Sequence, residues 1–315
     1  MFSTTTNHHR HSSWIGLCIA CVVVSSGLAG CSSSAAPQVR TGSQGRVSVV
    51  AAENFWGSIV SQIGGKHVVV TSIITNPNTD PHSYEPSAND ARIMAEAQFV
   101  VENGVGYDPW VPKLLASDQG HPTVLDVGTA VGANVGDNPH RWYNPADVQI
   151  VIGQVVHDLS ALDPADGTYF TAQATRFNSV ALASYNALIA AIKARFADTP
   201  IGASESIVAM LAPSLGLDLI TPPTFLRAIS EGEDVTVADK ETIDNQIKNH
   251  LIRIYVYNSQ NVTPDVQAQL NEVNAERIPV ATITETLQPA SATYQAWQIR
   301  QLQGIQAALV KSSAA

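Results

Sequence analysis

The middle of the chain carries its strongest constraint on folding, a stretch from Ala165 to Phe196 whose pattern is helical throughout. It contains no proline and no glycine after Gly167, and its apolar residues recur at helical spacing. A helix of roughly 30 residues is about 45 Å long, which exceeds what one small domain needs. The stretch is therefore predicted to be a single long helix that bridges two lobes.

Strands and helices alternate on both sides of this stretch. Apolar and β-branched runs predict strands at 47–51, 67–74, 98–102, 122–127, 200–203, 217–220, 252–257 and 278–283. Helical patterns lie between them at 55–64, 87–97, 147–162, 206–215, 239–250, 264–275 and 290–309. Such alternation favours parallel sheets covered by helices. The predicted fold class is α/β, with two lobes, each a mostly parallel sheet flanked by helices, joined by one long rigid helix.

The first residues have the layout of a secretory signal peptide. A polar start that contains Arg10 precedes an apolar run from Trp14 to Val24, which is too short to cross a bilayer. The following Leu-Ala-Gly-Cys sequence ends at Cys31 and resembles a bacterial lipobox, in which the peptide is cut before a cysteine that carries a diacylglyceryl group. Residues 32–45 are rich in Ser, Gly, Pro and Gln, as in a flexible tether. An ordinary secreted protein with a chance cysteine is the alternative.

These features together predict the domain organisation. It comprises a lipoprotein signal peptide at 1–30, a flexible tether at 31–45, an N-terminal α/β lobe at 46–162, a long linking helix at 163–197 and a C-terminal α/β lobe at 198–315. The protein is expected on the extracytoplasmic face of the cell membrane, lipid-anchored at Cys31.

Cysteine usage and charge exclude several function classes. The three cysteines are Cys18, Cys21 and Cys31, so the predicted mature chain has no disulfide, thiolate ligand or catalytic thiol. The formal net charge of −10 argues against nucleic acid as a partner and is compatible with a cationic ligand.

Candidate metal ligands occur in four segments, all at predicted loops or strand ends. The segments are 80–86 (DPHSYEP), 138–145 (NPHRWYNP), 203–206 (ASES) and 283–289 (ITETLQP). Ligands of open α/β sheets bind outside the carboxyl ends of the strands. The imidazoles and carboxylates of these segments would form a four-ligand metal site if the fold brought them together there.

These segments resemble those of the zinc/manganese-type metal-binding solute-binding proteins of ABC importers. The similarity covers nearly all of the predicted mature chain and includes the lipobox, both Pro-His segments, the long helix and the two carboxylate segments. It implies that His82 and His140 are ligands from the N-terminal lobe, with Glu205 as the third ligand. Glu285 matches the position of the fourth ligand, where the family usually has Asp. It also implies a modest lobe shift on binding, because the long helix limits hinge motion.

The expected cargo is Mn²⁺ or Zn²⁺, with Fe²⁺ as a further candidate. Carboxylates favour harder ions such as Mn²⁺, whereas N/O sites usually bind Zn²⁺ more tightly. The family's zinc members often carry a His-rich acidic loop between the first two ligands, and this chain has none. The resemblance implies an ABC importer permease and ATPase as partners. The chain is expected to be a lipid-anchored monomer that does not bind nucleic acid and is not an enzyme.

Two alternatives from other classes stay open at this stage. A metal-dependent hydrolase could use two His and a Glu around an open zinc position, although the sequence has no His-Glu-x-x-His motif. An adhesin or structural lipoprotein on the same fold is the second alternative. The remaining histidines of the predicted mature chain are expected not to bind metal; they are His67, His121, His157 and His250. Trp142 is expected to shape the site, since it lies two residues from His140.

Overall fold

The structure is a computed structural model that describes residues 45–79, 81–117 and 120–314. The predicted signal peptide, Cys31 and nearly all of the tether lie outside the described residues. The side chain of His82 also lies outside the described part, although the backbone around it forms a short 3₁₀ turn, Pro81–Ser83.

Two parallel four-stranded sheets form the framework, and they share one strand order. The first sheet runs β2-β1-β3-β4, with β1 Val47–Glu53, β2 Val68–Ile74, β3 Phe99–Glu102 and β4 Thr123–Asp126. The second runs β6-β5-β7-β8, with β5 Pro200–Ala203, β6 Asp218–Leu219, β7 Ile254–Asn258 and β8 Val280–Ile283. The order reverses between β1 and β3, and again between β5 and β7. Ligands of such sheets bind beyond the carboxyl ends of the strands at these two switch points.

Helices connect the strands and flank both sheets, which confirms the predicted fold class. In the described residues they are α1 Asn54–Gly64, α2 Ala88–Ala95, α3 Trp110–Ser117, α4 Val127–Ala130, α5 Pro145–Leu162, α6 Gly167–Arg176, α7 Ala183–Phe196, α8 Ile207–Leu215, α9 Pro223–Glu231, α10 Val237–Lys248, α11 Pro264–Ala275 and α12 Tyr294–Ser313. No described helix is both long and apolar enough to cross a membrane. The predicted domain boundaries stay a prediction.

Local sequence explains where several helices begin. The Ser87 hydroxyl accepts from the backbone N–H of Asp90, and the Asp90 carboxylate accepts from the backbone N–H of Ser87, which completes a capping box at the start of α2. Asn144 caps α5, whose first residue is Pro145; proline is tolerated there because that N–H has no partner within the helix.

The long helical stretch is less regular than the sequence predicts. It opens with a 3₁₀ turn, Pro164–Asp166, and a π-helical segment, Phe177–Ala181, separates α6 from α7. The Leu182 N–H donates to the carbonyl of Phe177, five residues earlier, at 2.9 Å. Phe177 and Leu182 are both buried. The extra residue in this turn brings both apolar side chains onto the core-facing side, where regular α-helical spacing would separate them.

The hydrophobic core is continuous between the two sheets. A single cluster of buried side chains includes Phe55 and Trp56 from α1, Tyr185 from α7 and Trp297 from α12. Helix α12 packs against β8 and α7 and also touches α1, next to the first sheet. The carboxyl ends of the strands are therefore supported by one shared core.

Candidate metal centre

Three of the four predicted ligands converge at the carboxyl ends of the strands. His140 precedes a 3₁₀ turn, Arg141–Tyr143, Glu205 follows β5, and Glu285 follows β8. Their candidate ligand atoms all lie within 4.8 Å of one another. His140 and Glu205 are each 1% exposed and Glu285 is 8% exposed. Burial of two carboxylates and an imidazole this close together is costly unless they are paired or bind a metal.

The ring of His140 is held so that one nitrogen faces the centre. The Asn138 side-chain amide donates to the carbonyl of Ser206 at 2.7 Å, which fixes its Oδ1 as an acceptor. That oxygen lies 2.9 Å from His140 Nδ1 and accepts the His140 backbone N–H at 3.1 Å. Nδ1 is therefore placed to donate to Asn138, and Nε2 faces Glu285 Oε1, 3.7 Å away. Orienting contacts of this kind are typical of metal-ligating histidines.

Both carboxylate oxygens of Glu205 accept hydrogen bonds from asparagine amides. Asn258 Nδ2 donates to Oε1 at 3.0 Å, and Asn261 Nδ2 donates to Oε2 at 3.0 Å. The Asn258 amide is itself oriented, because its Oδ1 accepts the backbone N–H of Gln260 at 2.9 Å. These contacts fix the carboxylate plane of Glu205 within the second sheet's half of the protein.

Glu285 is positioned from both halves of the chain. The hydroxyl of Tyr107, which follows β3, donates to Glu285 Oε1 at 2.7 Å. The Glu285 backbone N–H donates to Gln260 Oε1 at 2.7 Å, and Asn258 Nδ2 lies 3.4 Å from Glu285 Oε2. Asn258 thus links the two carboxylates, and Tyr107 ties one of them to the first sheet.

Aromatic side chains form one wall of the centre, as predicted for Trp142. Its ring lies 5.2 Å from the ring of His140 and 5.0 Å from that of Tyr107. On its other side it stacks on Phe55 at 4.0 Å and an interplanar angle of 18°. Trp142 is fully buried, so it excludes water from one side of the ligand set and limits the ring positions of His140.

A group of buried acids lies at the ends of β1 and β3, close to the centre. Burial raises the pKa of Asp108 to about 6, although its carboxylate accepts the backbone N–H groups of Asn103 and Gly104. Burial, with the charge of Asp108, raises the pKa of Glu102 to about 8. Burial and then Asp108 raise the pKa of Glu53, to which Glu285 also contributes. This arrangement surrounds the first sheet's switch point with acidic groups.

A cavity of about 160 Å³ opens onto the three converging ligands. Its wall includes residues 77–79, which belong to the loop leading to the turn that carries His82. Glu231, Gln260 and Asn261 also line this cavity. The cavity is large enough for an ion with its remaining water ligands.

Sequence reasoning identified the ligand candidates but missed the residues that orient them. Asn258 is the last residue of β7, whereas Asn261 and Tyr107 lie in the loops that follow β7 and β3. A position at the end of a strand is the signal that singled out Glu205 and Glu285, and it would have drawn attention to Asn258 as well. Asn138 stands in the NPHRW segment itself and could have been recognised as the partner of its histidine.

The fold, with its two parallel sheets, is similar to that of solved structures. The solved structure of the Mn-bound periplasmic metal binding protein from candidatus Liberibacter asiaticus aligns with a TM-score of 0.70 at 21% identity, covering 84% of this chain and 100% of that chain. This likeness concerns the fold.

The chain belongs to the ZnuA family, described as zinc-uptake complex component A, periplasmic, which matches residues 49–308. The manganese-binding lipoprotein MntA of Halalkalibacterium halodurans is 25% identical over 134 residues, 41% of this chain and 44% of that protein. The iron-binding protein YfeA of Yersinia pestis is 29% identical over 126 residues, 38% of this chain and 40% of that protein. The chain thus spans about half the length or less of these curated relatives. The family consists of binding proteins, so the prediction that the chain is not an enzyme is confirmed and the hydrolase alternative is not favoured.

Proposed function

We propose that this protein captures a divalent transition-metal ion between its two sheets and delivers it to the permease of an ABC importer, powered by the ATPase subunit. His82, His140, Glu205 and Glu285 are the proposed ligands. The observation that carries the proposal is the buried convergence of His140, Glu205 and Glu285, whose ligand atoms lie within 4.8 Å of one another. One imidazole and two carboxylates are a donor set for such ions.

The proposed mechanism is capture without bond chemistry. His140 comes from the half that contains the first sheet, and the two glutamates come from the other half. An ion that exchanges its water for these groups therefore links both halves. Two ionised carboxylates with a neutral imidazole neutralise a divalent charge, which offsets the cost of removing the ion from water.

Mn²⁺ is the proposed physiological cargo, with Zn²⁺ and Fe²⁺ as its competitors. Two carboxylates tilt the donor set towards harder ions. Of the two relatives described above, MntA is named for manganese and YfeA for iron. Because Zn²⁺ binds most N/O sites more tightly than Mn²⁺, we expect the preference to depend on geometry and on which metal is available.

The decisive experiment is calorimetric titration of the metal-free protein with Mn²⁺ and with Zn²⁺. His82→Ala and His140→Ala should each abolish high-affinity binding, and Glu205→Ala should weaken it strongly. His157→Ala is the matched control, because His157 is exposed and paired with Asp158 at 3.0 Å. Binding of wild-type strength in His140→Ala would overturn the proposed site.

Delivery requires a separate test in cells. A strain that lacks the protein should regain uptake of the radioactive metal with the wild-type gene and not with His140→Ala. An adhesin role would instead leave uptake unchanged on deletion.

We further propose that Cys31 carries the lipid anchor. The Leu-Ala-Gly-Cys sequence and the Ser-rich segment after it support this. Cys31→Ala should release the protein from the membrane fraction or leave it as uncleaved precursor. A variant that matures and stays membrane-bound like the wild type would contradict the anchor.

A further inference from the structure

A second group of metal-ligating side chains lies at the opposite edge of the first sheet. His67 ends the 3₁₀ turn directly before β2, whereas the metal centre lies beyond the carboxyl ends of the strands. Strand β2 has 7 residues, which separates the two edges by about 20 Å. The two groups are therefore separate sites. His67 was expected not to bind metal, an expectation that took no account of its neighbours in space.

Asp163 and Asp166 lie beside His67 with a spacing that suits a metal ion. The candidate ligand atoms of the three residues all lie within 4.8 Å of one another. His67 Nδ1 is 2.5 Å from Asp166 Oδ2, and these two side chains are 21% and 32% exposed. The group is thus partly buried but open to ions from solution.

Two backbone features bring the carboxylates together. Asp163 caps the end of α5, Asp166 precedes α6, and the Asp166 N–H donates to the Asp163 carbonyl at 3.2 Å. This tight turn directs both acids towards the same side. Burial and then the charge of Asp166 raise the pKa of Asp163, whereas the neighbouring His67 lowers it.

The ring of His67 is held in place by packing. Its centroid lies 4.5 Å from that of Tyr169 and 6.0 Å from that of Phe170. Gly65 permits this approach, because a Cβ at that position would lie 2.2 Å from the Tyr169 hydroxyl oxygen, and its φ is +52°. The imidazole is therefore presented to the two aspartates by a rigid turn.

We propose that His67, Asp163 and Asp166 form a second divalent transition-metal site, distinct from the cargo site, and we use Zn²⁺ as the probe ion. Three protein ligands leave one tetrahedral position for water, an arrangement that Zn²⁺ favours. A bound ion replaces the direct contact between His67 Nδ1 and Asp166 Oδ2. It ties the start of β2 to the junction of α5 and α6, where the long helical stretch begins, and so stabilises that junction.

The test uses the full chain in a background in which the cargo site is disabled by His140→Ala and Glu205→Ala. Zn²⁺ is titrated by calorimetry, and Co²⁺ binding is followed by its visible absorption, which reports tetrahedral N/O coordination. Adding His67→Ala, or separately the isosteric Asp163→Asn, should remove one bound ion per chain or weaken its binding at least about tenfold. The Zn²⁺-induced rise in melting temperature should be lost with it.

Two comparisons make the result unambiguous. His157→Ala removes a histidine that faces the single carboxylate Asp158 and is 74% exposed, so it should change neither the count of ions nor the affinity. His8, His9 and His11 are present in every arm, so ions bound there cannot produce a difference. Circular dichroism and the melting temperature of the metal-free protein identify a variant that fails to fold. If His67→Ala fails to fold, Zn²⁺ binding by Asp163→Asn decides whether the site exists. Unchanged Zn²⁺ binding in folded His67→Ala and Asp163→Asn would overturn the site.

Discussion

The hydroxyl of Tyr107 donates a 2.7 Å hydrogen bond to Glu285 Oε1 and so joins the two halves of the protein at the metal centre. Tyr107 follows a strand of the first sheet and Glu285 follows the last strand of the second. Both side chains are buried, at 0% and 8% exposure. A carboxylate proposed to bind the cargo is therefore oriented from across the interface between the halves.

Removing this hydroxyl should weaken metal binding without unfolding the protein. We expect Tyr107→Phe to raise the Kd for Mn²⁺ by roughly five- to thirtyfold, since a hydrogen bond to a charged group contributes about 1.5–3 kcal/mol and water replaces part of it. Tyr84→Phe is the matched control, because Tyr84 donates to Asp90 at 2.8 Å within the first half. Equal Kd values for the two variants in calorimetric titration would contradict a role of Tyr107 in the site.

The orientation of His140 should depend on Asn138. Asn138→Ala removes the acceptor for the Nδ1 proton and allows the other tautomer, so we expect metal affinity to fall by about 10- to 100-fold. Asn144→Ala removes an N-cap of α5 from the same segment and should lower the melting temperature with little effect on Kd. If the Asn144 variant lost as much affinity as the Asn138 variant, general loosening of the segment would be the cause.

Exchange of one carboxylate for an imidazole should change metal preference. Glu205→His adds a nitrogen ligand and removes a negative charge, both of which favour Zn²⁺ over Mn²⁺. The ratio of the two Kd values, measured by competition titration, should shift towards Zn²⁺ by at least about tenfold. Glu285→Asp keeps the carboxylate and should leave the ratio within about threefold of wild type. A ratio unchanged by Glu205→His would remove Glu205 from the proposed ligand set.

Stability should fall as pH rises through the range in which Glu102 loses its proton. The pKa of Glu102 is raised to about 8 in the folded protein, against about 4.3 in an unfolded chain. Between these two pKa values the folded state holds a proton that the unfolded state has released. The contribution of Glu102 to the free energy of unfolding is therefore complete below about pH 4.3 and is lost as pH rises to about 8.

Glu102→Gln removes this ionisation and should be more stable than wild type at pH 9. The free energy of unfolding of both proteins is measured in urea at pH 9 and at pH 5. The excess of Glu102→Gln over wild type should be smaller at pH 5 by more than about 1.4 kcal/mol, the equivalent of one pKa unit. Glu96→Gln is the control, because Glu96 is exposed and paired with Arg92 at 2.7 Å. A difference between Glu102→Gln and wild type that is constant with pH would contradict this source of pH dependence.

The secondary structure was predictable wherever local signals were sufficient. The Ser87 cap marked α2, and α11 begins and ends as predicted at Pro264 and Ala275. Three helices were missed: the four-residue α4, and α3 and α9, which have Pro112 and Pro223 in their first turns. Proline is tolerated in a first turn, so Pro112 and Pro223 are compatible with the start of a helix. The π-helical segment was missed because it depends on which side of the long stretch meets the core.

By itself, the sequence determined the fold class and the candidate ligands, because periodicity, caps and strand ends are properties of residues that are near each other along the chain. Only the tertiary structure decided which side chains orient those ligands. The hydrogen bonds from Asn258 to Glu205 and from Tyr107 to Glu285 join different strands, and the group of His67, Asp163 and Asp166 joins a strand start to a helix junction. Such contacts depend on strand order and on which faces pack together, and no local pattern specifies these.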